Sequence, residues 1–267
     1  MSAITAYFQS LTLLQAGVLA SLIAGAAAGV GALPVFFVRS ASTRVKDVLL
    51  GLAAGLMLGA TFFSLVFPAL ETASGQVGSE TLGTLVVAAW IMGGGVLLWV
   101  AHRLLPHEHL VKGRESADHS RIRGVWLFVI AIAVHNFPEG LAVGVGFGGG
   151  DVGNGLALTA AIFLQNLPEG FAVALAMLTL GYTTPSAVMI ALATGVIETV
   201  GGFTGAGIVS LSAALLPAAL ALAAGAMLFV ISHEVIPETH RNGHETAATF
   251  GVMVGFVMMM FLDVALA

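Results

Sequence analysis

Two short runs carry ligand-type side chains on an otherwise apolar background. The first reads His135-Asn136-Phe137-Pro138-Glu139-Gly140, and the second Gln165-Asn166-Leu167-Pro168-Glu169-Gly170. Residues four apart share a helix face, so His135 pairs with Glu139 and Gln165 with Glu169. Asn136 and Asn166 each precede their Glu by three and lie beside the same face. Glu198 and Met57 sit near the centres of two further apolar stretches. Imidazole, carboxylate, amide and thioether donors together suit divalent transition metals, zinc above all, while the oxygen donors keep cadmium, iron(II) and manganese in range. Three carboxylates able to bridge leave room for two ions side by side. There is no cysteine, which argues against a copper(I) specialist.

The cost of the carboxylates makes the pattern informative. An acidic side chain at the centre of a membrane helix costs about 2.5–3.5 kcal/mol on insertion scales. No Lys or Arg lies within any apolar stretch to compensate, so the compensating charge is a proton or a diffusible cation. Pro138 and Pro168 each remove a backbone donor and free the carbonyl four residues earlier, at Val134 and Leu164. That predicts helices broken near mid-membrane, with backbone oxygens exposed beside the side chains.

The positioning elements follow from composition. Of 267 residues, 58% are hydrophobic and 9% charged, against about 25% charged in soluble domains. Lipid is therefore the expected solvent, and a span needs roughly 20 apolar residues. Apolar length and polar breaks predict an all-α membrane protein of eight helices over Leu13–Val38, Val48–Leu70, Leu82–Leu105, Val125–Phe147, Leu156–Leu180, Ala187–Val209, Ala214–Ile236 and Ala247–Leu266. They form a single transmembrane domain over residues 1–267. All nine basic residues, Arg39, Arg44, Lys46, Arg103, Lys112, Arg114, Arg121, Arg123 and Arg241, fall at the first, third and seventh connections. The positive-inside rule then places both termini outside the cytoplasm. The connection over 106–124 is the only long polar one; it holds His107, His109 and His119 and reads as a solvated loop, with collection of metal in the cytoplasm as the second reading. The segment before Leu13 lacks a basic n-region, so no cleavable leader is expected. A net charge of −5 gives no sign of a nucleic-acid partner.

The end of the seventh helix and its sequel carry His233, Glu234, Glu238, His240 and His244 at the cytoplasmic mouth. They read either as an exit or sensing site for metal or as a polar helix terminus with a proline stop. Asp47, beside Lys46, reads as a solvated helix-end charge, and Asp263 as an interfacial residue with no role.

The paired motifs and Glu198 resemble the metal site of the ZIP (Zrt/Irt-like) metal transporter family, in its bacterial GufA-like branch. The resemblance implies an eight-helix bundle whose first three and last three helices form an inverted repeat. It implies transport of divalent metal across the inner membrane, usually into the cytoplasm, by a protein that is often a homodimer and needs no catalytic cofactor. One ion would be held by Met57, His135, Glu139, Gln165 and Glu169. The second would be held by Asn136, Glu139, Asn166, Glu169 and Glu198, with Glu139 and Glu169 bridging. Ser64 would lie toward the outer entrance. Gln165 stands where many relatives have His, and Asn166 where some have Asp. Rival readings are a metal-gated channel or sensor, which shares every ligand, a proton-coupled carrier of another solute, and an intramembrane metallohydrolase. The last needs H-E-x-x-H on one helix, whereas the next His after His233-Glu234 is His240, beyond Pro237.

Overall fold

The structure, a computed structural model, describes residues 3–104 and 117–266. Every regular element among them is helical. A short helix, Ala3–Gln9, precedes eight long apolar ones: α1 (Leu13–Phe36), α2 (Thr43–Val77), α3 (Glu80–Leu104), α4 (Ala117–Gly146), α5 (Val152–Thr179), α6 (Thr184–Leu211), α7 (Ala213–Thr239) and α8 (Glu245–Leu266). The expected count of eight spans is met.

Polar caps set several helix starts earlier than apolar length alone predicts. At α1, which starts at Leu13 as expected, Thr12 and Gln15 form a reciprocal capping box, with bonds of 3.3 and 3.0 Å. The Ser42 hydroxyl accepts from the Val45 amide and begins α2 at Thr43 rather than Val48. Asp151 and Thr183 do the same for α5 and α6. The connection read as a loop over 106–124 is shorter than expected, because α4 already begins at Ala117. His107 and His109 lie outside the described residues, and only the backbone of His119 is described, within α4.

The prolines act differently from the expectation. α4 and α5 remain α-helical through Pro138 and Pro168. Two residues after each proline, Gly140 and Gly170 lie directly on the backbones of Glu198 and Ala28. The irregular turns are in α2 and α7 instead, as π-turns at Thr61–Val66 and Ile231–Val235, each followed within two residues by a proline, Pro68 or Pro237. Pro68 cannot donate to the Ser64 carbonyl; the Asn154 side chain does so instead, at 3.1 Å.

Packing divides the helices into two groups. One comprises α1, α4, α5 and α6; in the other α2 packs on α8 and α3 on α7. Small residues permit this, since a Cβ on many of the glycines would strike a neighbouring backbone. The contacts recur in matching pairs. Gly31 lies on Leu167 and Gly201 on Phe137; Gly255 lies between Leu52 and Leu56, and Gly94 between Leu222 and Ala226. An inverted pseudo-two-fold that exchanges α1 with α6, α2 with α7, α3 with α8 and α4 with α5 accounts for all of these pairs. The sequence carries the repeat openly: Leu52-Ala53-Ala54-Gly55-Leu56-Met57-Leu58 recurs as Leu222-Ala223-Ala224-Gly225-Ala226-Met227-Leu228.

Because the chain has no cysteine, single introduced thiols report sidedness cleanly. Ser40→Cys, at the basic end, and Gln76→Cys, at the opposite end, are both exposed positions. They are expected to react with impermeant reagents from opposite faces of the membrane. Reaction of both from one face would contradict the eight-span arrangement.

Candidate metal site

The fold brings the two motifs together midway along the apolar helices. His135, Asn136 and Glu139 come from α4, Gln165, Asn166 and Glu169 from α5, Glu198 from α6 and Met57 from α2. All eight are at least 95% buried. Seven belong to the first helix group and Met57 to the second, so the site lies on the boundary between them.

The side chains are partly engaged with one another. Gln165 Nε2 donates to Glu139 Oε1 at 2.7 Å. Asn166 Nδ2 donates to Glu198 Oε2 at 2.6 Å and to the Ala24 carbonyl at 3.0 Å. Both acceptors fix the orientation of the Asn166 amide, because only its nitrogen can serve them. The amide oxygens are thereby left over. Among the described residues, the buried side-chain atoms with no hydrogen-bond partner are Asn136 Oδ1, Glu139 Oε2, Gln165 Oε1, Asn166 Oδ1, Glu169 Oε2 and Glu198 Oε1. These six are all acceptors and all belong to the two motifs or Glu198. An unsatisfied buried acceptor ordinarily costs about 1–3 kcal/mol, so six in one place call for an electron-poor partner. Among the described residues no three His, Asp or Glu groups already converge as a finished metal cage; side-chain rotations would have to complete it.

His135 Nε2 contacts the carboxylate of Glu234. Glu234 thus reaches from α7 to the site itself, deeper than a residue at the mouth. His135 and Glu169 form the inner end of a cavity of about 770 Å³. From there it runs past His233, Glu234 and Glu238 to Arg39, Lys46 and Arg241 at the basic end. His240 turns away from it, with Nδ1 2.9 Å from the Ile236 carbonyl and Nε2 3.3 Å from the Thr249 hydroxyl. Glu238 pairs with Arg241 at 2.8 Å on the surface. Of the terminal cluster, then, His233, Glu234 and Glu238 line the cavity, while His240 does not.

Two carboxylates depart from the sequence reading. Asp47 is 1% exposed rather than solvated. It accepts from Asn242 Nδ2 at 2.9 Å and lies 2.8 Å from His244 Nδ1, because the α7–α8 connection folds over the start of α2. Asp263 is half-buried and accepts from the Ser64 hydroxyl at 2.9 Å, so it pins the π-turn of α2 to α8. Nothing local to Asp47 or Asp263 announces these partners. Asn154 was also missed, although its spacing from Asp151 marks a helix start.

Comparison with known proteins decides the family. The model of the ZIP zinc transporter family matches residues 105–263. The zinc transporter ZIPB of Bordetella bronchiseptica is 48% identical over 90% of this chain and 78% of its own length. The zinc transporter GufA of Myxococcus xanthus is 47% identical over 94% and 99%. The chain belongs to the ZIP family. It is a GufA-like ZIP protein, a transporter by family and not an enzyme. The likeness reaches animal ZIP proteins: human zinc transporter ZIP11 is 30% identical over 88% of this chain and 93% of its own. The family match spans both motifs, Glu198 and the α7 terminus, so the orphaned oxygens of this ZIP protein lie within the matched region.

Proposed function

We propose that this protein carries divalent transition metals, zinc foremost, into the cytoplasm across the inner membrane through a binuclear site. The observation that carries the reading is the set of six unpartnered acceptor oxygens buried between α4, α5 and α6. Met57, His135, Glu139, Gln165 and Glu169 hold one ion. Asn136, Glu139, Asn166, Glu169 and Glu198 hold the other, with Glu139 and Glu169 shared. The names of the relatives support zinc as the cargo; the oxygen donors admit cadmium, iron(II) and manganese.

Direction follows from charge. The cavity below His135 and Glu169 opens among Arg39, Lys46 and Arg241, and basic connections face the cytoplasm. Both termini then lie outside. Metal leaves past Glu234 and His233. Glu234 competes with the ion for His135, so the imidazole is handed from metal to carboxylate as the ion departs. Glu234→Gln is expected to weaken that exchange, slowing uptake while leaving metal bound. Stopped-flow release of cadmium from the purified protein checks this, and release as fast as in the parent would remove Glu234 from the path.

Protons compete with metal for the same atoms. Carboxylates and imidazole bind metal in their deprotonated forms, so binding releases protons and weakens as pH falls. Zinc affinity, followed by titration between mildly acidic and neutral pH, is expected to fall steadily toward the acid side. An affinity independent of pH over that range would contradict a carboxylate-rich site.

A further inference from the structure

The internal repeat gives Met57 a counterpart. Met227 stands on α7 within the same surroundings, between Ala223-Ala224-Gly225 and Leu228. Both methionines are at most 1% exposed. Their helices are engaged equivalently: Gly55 of α2 lies on Val252 of α8, and Gly225 of α7 lies on Ile91 of α3. In the same way α2 packs on α5 and α7 on α4. The two-fold that exchanges these helices also exchanges the two metal motifs.

The conformation, by contrast, is unequal: the cavity that ends at His135 and Glu169 opens at the basic end. Two equivalent halves in different conformations have a second state of comparable packing, in which each half adopts the shape of the other. That state is open at the opposite end. In it α7 presents to α4 the face that α2 now presents to α5, and Met227 occupies the place Met57 holds here.

We infer that Met227 is a metal ligand of the outward-open state, the counterpart of Met57 in the inward-open one. The inference rests on the proposed site. It gives the carrier a soft thioether on each side of the membrane, so preference for zinc and cadmium over hard ions such as manganese is exercised at capture as well as at release. A methionine serving only as filling would do neither.

Single-thiol variants Met57→Cys, Met227→Cys and Leu228→Cys in proteoliposomes test this, with cadmium as the probe. Met227→Cys is expected to react with impermeant thiol reagents from the outer face, and Met57→Cys from the cytoplasmic face. Cadmium at ten times its dissociation constant should slow both by up to about tenfold, following the occupancy factor 1 + [L]/Kd. Leu228→Cys should show no cadmium dependence. In parallel, Met227→Leu, which keeps the volume, should lower the preference for cadmium over manganese in uptake competition. If Met57→Cys is protected while Met227→Cys is unreactive or unprotected, the inference is overturned and the proposed site stands. If neither is protected in folded protein, the site itself is wrong and the inference falls with it.

Discussion

Glu169→Ala and His135→Ala are each expected to abolish metal uptake while leaving the protein folded in the membrane. Glu169 belongs to both proposed ions, and its Oε2 is among the oxygens without a partner. Its removal deletes a bridge and leaves each ion one anionic ligand short. His135 is the imidazole midway along the apolar helices, in contact with Glu234. Loss of a residue that merely orients a metal ligand costs about 10–100-fold in affinity or activity, so loss of a ligand should exceed that. Each substitution removes a buried polar group and adds none, which is why folding should survive. The check is radiolabelled zinc uptake by cells at matched membrane expression. Near-normal uptake by either variant would mean that the constellation is structural.

Asn166→Asp is expected to tighten the second ion and to destabilise the metal-free protein. In the structure the Asn166 amide donates to both Glu198 and the Ala24 carbonyl. Aspartate cannot donate to either. It would instead face the Glu198 carboxylate across the present 2.6 Å contact, an arrangement that only a cation or a proton relieves. A gain of at least about tenfold in affinity at the Glu198 side corresponds to only about 1.4 kcal/mol, well within what an added carboxylate supplies. The parent should therefore bind two ions unequally, with the Glu198 side weaker. The variant should melt lower without metal, recover more on adding zinc, and release its cargo more slowly. Titration calorimetry with cadmium, paired with thermal melts, reads all three. Two equal sites in the parent, unchanged in the variant, would take Asn166 out of the ligand set.

The candidate site was legible in the sequence because membranes make polar residues expensive. A carboxylate inside an apolar run demands a reason, and the two matched motifs supplied one together. Eight spans followed from length, and the partition of nine basic residues constrained their order. What escaped depends on partners far along the chain. Asp47 meets residues 195 and 197 positions away, and Asp263 meets one 199 away, so local composition made both look like surface charges. The prolines misled as well. α4 and α5 stay helical through Pro138 and Pro168, whereas Pro68 and Pro237 follow widened turns. The repeat around Met57 and Met227 was present in the sequence all along. It is apolar, and an apolar match between two membrane helices attracts notice only once the glycine contacts show the two segments doing the same thing.

Transport itself is tested most directly by zinc accumulation in proteoliposomes holding the purified protein. An outward zinc concentration raised stepwise at constant pH should give uptake above that of protein-free vesicles that saturates, as a carrier with a finite site must. Glu139→Gln, which removes a bridging charge at constant shape, should bring uptake down to the protein-free level. Accumulation no greater than in empty vesicles, or a Glu139→Gln protein that transports as well as its parent, would contradict a carrier built on these buried carboxylates.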